Sequence, residues 1–308
     1  MKQKVIAIVG PTAVGKTKLS IEIAQQFNGE IISGDSMQVY KGLDIGTAKV
    51  TAEEKQGIPH YMIDIKEPSQ DFSVADFQRN VKGYIATISE KGCIPIIVGG
   101  SGLYIQSALF NYNFSNEARD SVRTAQLERD LDKFGSMYLH NHLSQFDPDQ
   151  AAKIHPNNHR RLIRAIEIYE TTGKTMSEYQ VEQKNSPYDP IFIGLEMERK
   201  LLYSRINNRI DQMMQDGLLD EVYQLYSNGL KNHQSMRGIG YKEFIPYFQG
   251  EIELKEAVDA LKQNSRRFAK RQYTWFKNKM DVNWYSVTPN TIDEKFQTIL
   301  ANLAGMLG

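Results

Sequence analysis

The sequence predicts an α/β fold: a P-loop-type parallel sheet flanked by helices, with an all-helical insertion domain. Three observations carry this. Short apolar runs alternate with helical periods through the first hundred or so residues, the pattern of a parallel sheet covered by helices on both faces. The octapeptide Gly10-Pro11-Thr12-Ala13-Val14-Gly15-Lys16-Thr17 fits G-x-x-x-x-G-K-[ST] in full, with a strand signal before it and a helix signal after it. From about residue 116 to 188 the strand signal disappears and the pattern is helical and polar.

Taken in order, residues 5–9 form an apolar run ended by Gly10, as a buried strand does. Residues 16–27 place Leu19, Ile23 and Phe27 at helical spacing, and Gly29 stops the helix. A second strand follows at 30–34. A helix is expected over 73–91, with Ser73 as N-cap and Gly92 as stop. A third strand at 93–98, with Cys93 as a core residue, ends in Gly99-Gly100-Ser101-Gly102. The loops after these strands should converge, because ligands of open parallel sheets sit at the carboxyl ends of the strands. Within the insertion, 158–172 is amphipathic: Leu162, Ile163, Ile166 and Tyr169 share one face, Arg160, Arg161 and Arg164 another, and Gly173 ends it. A strand at 190–197 returns to the sheet. Helices are expected at 200–215, 218–227 and 254–279, then a strand at 282–287 and a closing helix at 292–306. This divides the chain into a P-loop catalytic core, 1–115 with 189–308, and a helical insertion, 116–188.

Composition sets bounds. Thirty-seven basic and 37 acidic side chains cancel, so net charge alone indicates no nucleic-acid partner, although its distribution can. One cysteine excludes a disulfide framework and points to a reducing, cytoplasmic setting. No apolar stretch approaches the length needed to cross a bilayer, so no membrane partner is expected. His60, His155, His159 and His233 lack metal-ligand spacing, and His140-Asn141-His142 lacks the flanks of a nuclease motif.

The P-loop wraps phosphate with backbone N–H groups at a helix N-terminus; Lys16 adds a full charge and the Thr17 hydroxyl can ligate Mg²⁺. Most such loops hold ATP or GTP, with a second acid at a strand end to help bind the metal. Here the strand at 93–98 ends in glycine, and Asp35 instead follows the second strand. Asp35 can hold Mg²⁺ through water or take a proton from a nucleophile. On local grounds a turn-capping role is equally open. Residues 262–280 contain Lys262, Arg266, Arg267, Lys270, Arg271, Lys277 and Lys279 and no acid, with Tyr273, Trp275 and Phe276 among them. The stripe reads either as an RNA-binding face with stacking aromatics or as a solvated helix whose aromatics point inward.

Six motifs then add up. G-P-T-A-V-G-K-T at 10–17, G-D-S-M-Q-V-Y at 34–40, D-I-G-T-A-K at 44–49, G-G-S-G-L-Y at 99–104, R-G-I-G-Y at 237–241 and K-R-Q-Y-T-W-F at 270–276 occur in the order and spacing of one family. Over nearly its whole length the chain resembles the tRNA dimethylallyltransferases. One departure is Ser101, where that family usually has threonine; the hydroxyl is kept. The resemblance implies transfer of a dimethylallyl group from dimethylallyl diphosphate to the exocyclic amine of the adenosine 3′ of the anticodon. The tRNAs would be those reading codons that start with U, and the products isopentenyladenosine and diphosphate. It implies that the insertion clasps the anticodon stem-loop and that the target base is flipped out. Residues 10–17, Mg²⁺ on Thr17, Ser101 and Arg123 would serve the diphosphate, with Lys16, Asp35, Ser101 and Arg123 as the catalytic set. Asp35, Ser36, Met37 and Gln38 would meet the tRNA. So would His159, Arg160, Arg161, Leu162 and Ile163, then Arg237, Gly240 and Tyr241, and finally Arg267, Lys270 and Arg271. The chain is expected to act as a monomer. The competing readings are an adenylate isopentenyltransferase acting on free adenine nucleotides and an ATP-binding P-loop kinase or NTPase.

Overall fold

The structure, a computed structural model, describes residues 2–110, 121–181 and 185–307. Strand β1 (Lys4–Val9) is buried from Val5 to Val9 without alternation, as a strand covered on both faces must be. It leads through the P-loop into α1 (Lys16–Gln26) and then β2 (Gly29–Ser33), whose residues are all buried. A two-residue strand, β3 (His60–Tyr61), follows. Ser73 caps α2 (Val74–Glu90) in a reciprocal capping box with Asp76, and Phe77, Val81, Ile85 and Ile88 form its buried stripe. Strand β4 (Ile94–Gly99) and α3 (Gly102–Leu109) complete the first stretch.

The helices α4 (Ser121–Phe134), α5 (Ser136–Phe146), α6 (Pro148–Ala151), α7 (His159–Thr172) and α8 (Met176–Val181) come next. They have their own core of Leu127, Leu139, Leu143, Leu162, Ile163 and Ile166. Asp147 caps α6 through the Gln150 N–H and also accepts both the N–H and the hydroxyl of Ser177, which fixes the entry to α8. Helix α7 ends at Gly173 in the left-handed conformation. The chain returns through β5 (Asp189–Glu196), α9 (Arg199–Gln215), α10 (Leu218–Ser227), α11 (Ile245–Phe248), α12 (Leu254–Lys279), β6 (Asn283–Ser286) and α13 (Ile292–Leu307).

All six strands are parallel, in the order β3-β2-β4-β1-β5-β6. Strand β1 lies between β4 and β5, with Val9 opposite both Gly99 and Gly194. The loops after β1, β2 and β4 therefore leave the same edge of the sheet. Two compact units result: Met1–Leu109 with Tyr188–Gly308, and Phe110–Pro187. The boundaries fall at 109/110 and 187/188, where the sequence placed them at 115/116 and 188/189. Cys93 precedes β4 and is only half-buried, which corrects its assignment to the core. Strand β3 and helix α3 had no counterpart in the sequence reading. Among the described residues no helix is long and apolar enough to cross a membrane.

Candidate active site

A cavity of about 610 Å³ opens at the carboxyl ends of β1, β2 and β4. One wall is the P-loop. Its turn uses positive φ at Gly10 (140°), Ala13 (65°) and Gly15 (111°). A Cβ at Gly10 would stand 2.5 Å from the Leu195 carbonyl oxygen of β5, so only glycine fits there. Lys16 Nζ donates to the carbonyls of Gly10 (3.0 Å) and Pro11 (2.7 Å). Burial pulls the Lys16 ammonium down to about 7; nearby Arg209 adds to this and Asp35 opposes it. Two elements brace the loop from outside. Arg205 Nε on α9 donates to the Ala13 carbonyl (3.0 Å), and Gln272 Oε1 on α12 accepts the Thr12 N–H (3.0 Å).

Asp35 stands on the turn after β2. Its Oδ1 accepts the Met37 N–H at 2.8 Å, so it caps its own turn while lining the cavity. Burial pushes its carboxyl above the ordinary carboxylate value. The Met37 and Gln38 amides, Lys16 and Arg209 work against that shift. Beyond it, Gln38 Nε2 donates to the carbonyls of Thr47 (3.1 Å) and Ala48 (3.4 Å), and Gln38 Oε1 accepts the Ser33 hydroxyl (2.7 Å). The 44–48 loop is held from behind by Glu221 of α10. One carboxylate oxygen accepts the Asp44 and Ile45 N–H groups (2.9 and 2.7 Å). The other accepts the Gly46 N–H (3.0 Å) and the Tyr241 hydroxyl (2.7 Å). Three successive amides on one carboxylate form an anion nest occupied from within.

The family model for IPP transferase matches residues 38–279. The chain belongs to the IPP transferase family. A tRNA dimethylallyltransferase of Oceanobacillus iheyensis is 58% identical over 308 residues, covering 100% of this chain and 98% of that one. The crystal structure of a full-length tRNA isopentenylpyrophosphate transferase from Bacillus halodurans superposes with a TM-score of 0.75 at 50% identity. It covers 99% of this chain and 96% of that chain. A eukaryotic dimethylallyltransferase acting on tRNA aligns with a TM-score of 0.82 at 35% identity, over 94% of this chain and 75% of that one. The resemblance read from the six motifs thus holds over the full chain, and this IPP transferase is an enzyme of the transferase class.

In this IPP transferase, Thr12–Thr17, Asp35–Gln38, Ser101, Arg237, Gly240 and Arg271 all line the one cavity. Gly10 and Pro11 contribute through the carbonyls that hold Lys16. Other expectations need correction. Leu162 and Ile163 are core residues of the helical unit, 0% and 4% exposed, and cannot face RNA; His159, Arg160 and Arg161 beside them are exposed. Tyr241 is 0% exposed, a strut on Glu221 rather than a surface contact. The aromatics of α12 point inward: Tyr273 bonds Glu196, Phe276 is buried, and Trp275 lies against Gly102. Part of the basic stripe is also engaged by protein, through Lys262–Asp211 (2.5 Å), Arg266–Asn207 (2.7 Å) and Lys277–Glu196 (3.5 Å). Arg267, Lys270 and Arg271 remain exposed. Arg123 lies in the helical unit, where it forms a two-point ion pair with Glu170 (2.7 and 2.6 Å).

Sequence reading missed Arg205, Arg209, Glu221 and Gln272. The first two had a signal, since Arg-Ile repeats at 205–206 and 209–210, one helical turn apart. A lone glutamine in a basic run and a glutamate in an ordinary helix had none. Among the described residues no group of three His, Cys, Asp or Glu side chains could hold a metal. The oxygens lining the cavity, the Thr17 hydroxyl and the Asp35 carboxylate among them, suit a hard cation completed by a ligand's own oxygens and water.

Proposed function

We propose that the cavity holds dimethylallyl diphosphate and transfers its dimethylallyl group to the exocyclic amine of the adenosine 3′ of the anticodon. The acceptors are tRNAs reading codons that start with U. The observation that carries this reading is the meeting of five basic side chains, Lys16, Arg205, Arg209, Arg237 and Arg271, with one carboxylate, Asp35, in a single cavity. Both halves of the reaction need that arrangement. The amine nitrogen forms a bond to C1 of the prenyl group while the C1–O bond breaks, and the diphosphate leaves with the electron pair. Fixed positive charge and P-loop amides stabilise the charge gathering on that leaving group. The adenine amine is a weak nucleophile because its lone pair is delocalised into the ring. Asp35 receives the proton it sheds, and burial makes that carboxylate a better base than one in water. When bound, Mg²⁺ would be held by the Thr17 hydroxyl and would neutralise part of the diphosphate charge. The Ser101 hydroxyl, lining the same cavity, adds a donor to the leaving group. For Arg123, which pairs with Glu170 in the helical unit, a role toward the diphosphate rests on the family resemblance alone.

The acceptor base must leave its stack to reach Asp35. The loop of Ser36, Met37 and Gln38 supports its placement, and exposed Arg160, Arg161, Arg267, Lys270 and Arg271 supply phosphate contacts. We assign the enzyme to the cytoplasm and to a monomer. Incubation with dimethylallyl diphosphate and either AMP or an anticodon stem-loop tests the proposal. Prenylated RNA with released diphosphate is expected. Prenylated AMP with untouched RNA would mark an adenylate isopentenyltransferase, and turnover of ATP or GTP alone a kinase or NTPase.

A further inference from the structure

Gln272 is a polar side chain in an unusual position. It is 5% exposed, yet it lines the cavity from α12. Its Oε1 accepts the Thr12 N–H at 3.0 Å. A backbone N–H can only donate, so the end of the carboxamide facing the P-loop must be oxygen, and the NH₂ end is fixed on the far side. That nitrogen lies over Gly100, where a Cβ would stand 2.0 Å from it. It therefore occupies the space between the P-loop and the Gly99–Ser101 turn that glycine alone leaves open. Nε2 has no hydrogen-bond partner among the described residues. It is also not sealed from solvent, unlike the buried partnerless Tyr40 hydroxyl and Trp275 Nε1. A donor pair held in one orientation and open to the cavity is placed to donate to whatever occupies it, water or a ligand's oxygen.

We propose that Gln272 Nε2 donates to an oxygen of the prenyl donor's diphosphate; this deepens the function proposed above and rests on it. The surroundings select the acceptor. Nε2 stands among the phosphate-side groups, the P-loop and the Ser101 turn, with Lys16, Arg205 and Arg209 lining the same cavity, so the field there attracts an anion. The wall that would meet a base, Gln38 with the 44–48 loop, is built from other elements. Gln272 thus belongs to the diphosphate site, and the Thr12 bond serves to aim it.

The test measures binding of inorganic diphosphate and of an anticodon stem-loop to the full chain, as wild type and as Gln272→Glu. The glutamate keeps an oxygen for the Thr12 N–H and replaces the donor with an acceptor. A loss of about tenfold or more in diphosphate affinity is expected, with a matching rise in KM for dimethylallyl diphosphate. Stem-loop affinity should stay within about threefold, because a general charge effect would weaken both polyanions together. Gly100→Ala, which keeps the glutamine but forces its carboxamide out of the gap, should lose diphosphate affinity in the same direction and covers the case of a poorly folded Gln272→Glu. Unchanged diphosphate affinity in either folded variant, or a loss confined to the stem-loop, overturns the assignment. Failure of the wild type itself to bind inorganic diphosphate would instead overturn the site reading beneath it.

Discussion

Asp35 and Lys16 are both held away from their ordinary ionisation behaviour, in opposite directions, and this makes the site testable by pH. Burial raises the Asp35 carboxyl, so the folded protein binds a proton there more tightly than the unfolded chain does. Stability is therefore lost as pH rises from the ordinary carboxylate value through the raised one, and the loss persists above it. Asp35→Asn carries no such charge and is expected to melt higher than wild type at neutral pH, with the gap closing in strong acid. Calorimetry against pH measures this. The same variant should lose about 100- to 10,000-fold in transfer rate, the usual contribution of a general base, with RNA affinity within about threefold. A variant that loses RNA binding instead would leave the base role unsupported. Lys16, lowered to about 7, gives the alkaline side. In the free enzyme kcat/KM for dimethylallyl diphosphate should fall above about pH 7 as the ammonium is lost. In kcat, where bound diphosphate holds the proton on, the limb should move to higher pH. Both residues were legible because a motif places them next to strand ends. Gln272 and Glu221 were not, since a hydrogen bond from the residue 12 amide to residue 272, or from the 44–46 amides to residue 221, leaves no local trace. Leu162, Ile163 and Tyr241 were misread for a related reason. Membership of a motif does not say which way a side chain points, and on a helix neighbouring positions face opposite environments.

Helix α10 holds the acceptor-side loop by one side chain, and α12 presents a charged edge, so each can be tested alone. Glu221→Gln keeps the shape but replaces an acceptor oxygen with a donor that faces backbone N–H groups or the Tyr241 hydroxyl. The 44–48 loop and Gln38 should loosen. The expected result is a rise of about tenfold in KM for the stem-loop, with KM for dimethylallyl diphosphate within about twofold. Equal changes in both would reduce Glu221 to a stabiliser of the fold. On α12, Arg267→Ala with Arg271→Ala should weaken tRNA binding and flatten the slope of log affinity against log salt by about 1 to 2, one phosphate contact per arginine. An unchanged slope returns that face to solvent. The limits of α10 and α12 agree with the sequence residue for residue, because Gly217 and Gly229 bracket the first and the 254–279 period is long and unbroken. Strand β3 is two residues long, too short for any period, and α3 follows a glycine-rich turn that reads as loop.

At the scale of the whole chain, the two units have separate cores, and the residues lining the cavity all belong to the larger one. Leu162→Ala removes a fully buried side chain from the helical unit and should cost about 2–5 kcal/mol there, while leaving inorganic diphosphate affinity within about twofold. Protease sensitivity confined to 110–187, with diphosphate binding intact, is the expected outcome; loss of both would show the units to be one cooperative body. The sequence located the insertion by the loss of strand signal, but composition shifts gradually and left the first boundary six residues late, at 115/116 against 109/110. The sheet order has a consequence for synthesis on the ribosome. Strand β1 and its P-loop emerge well before their supports: one neighbour, β5, ends at residue 196, and the brace on Thr12 comes from residue 272. A nascent chain can pair β1 with β4 early, but it cannot finish the pocket until the long helix α12 has cleared the exit tunnel. A segment made early is thus among the last to be completed, so chains released before α12 is made should lack a working site.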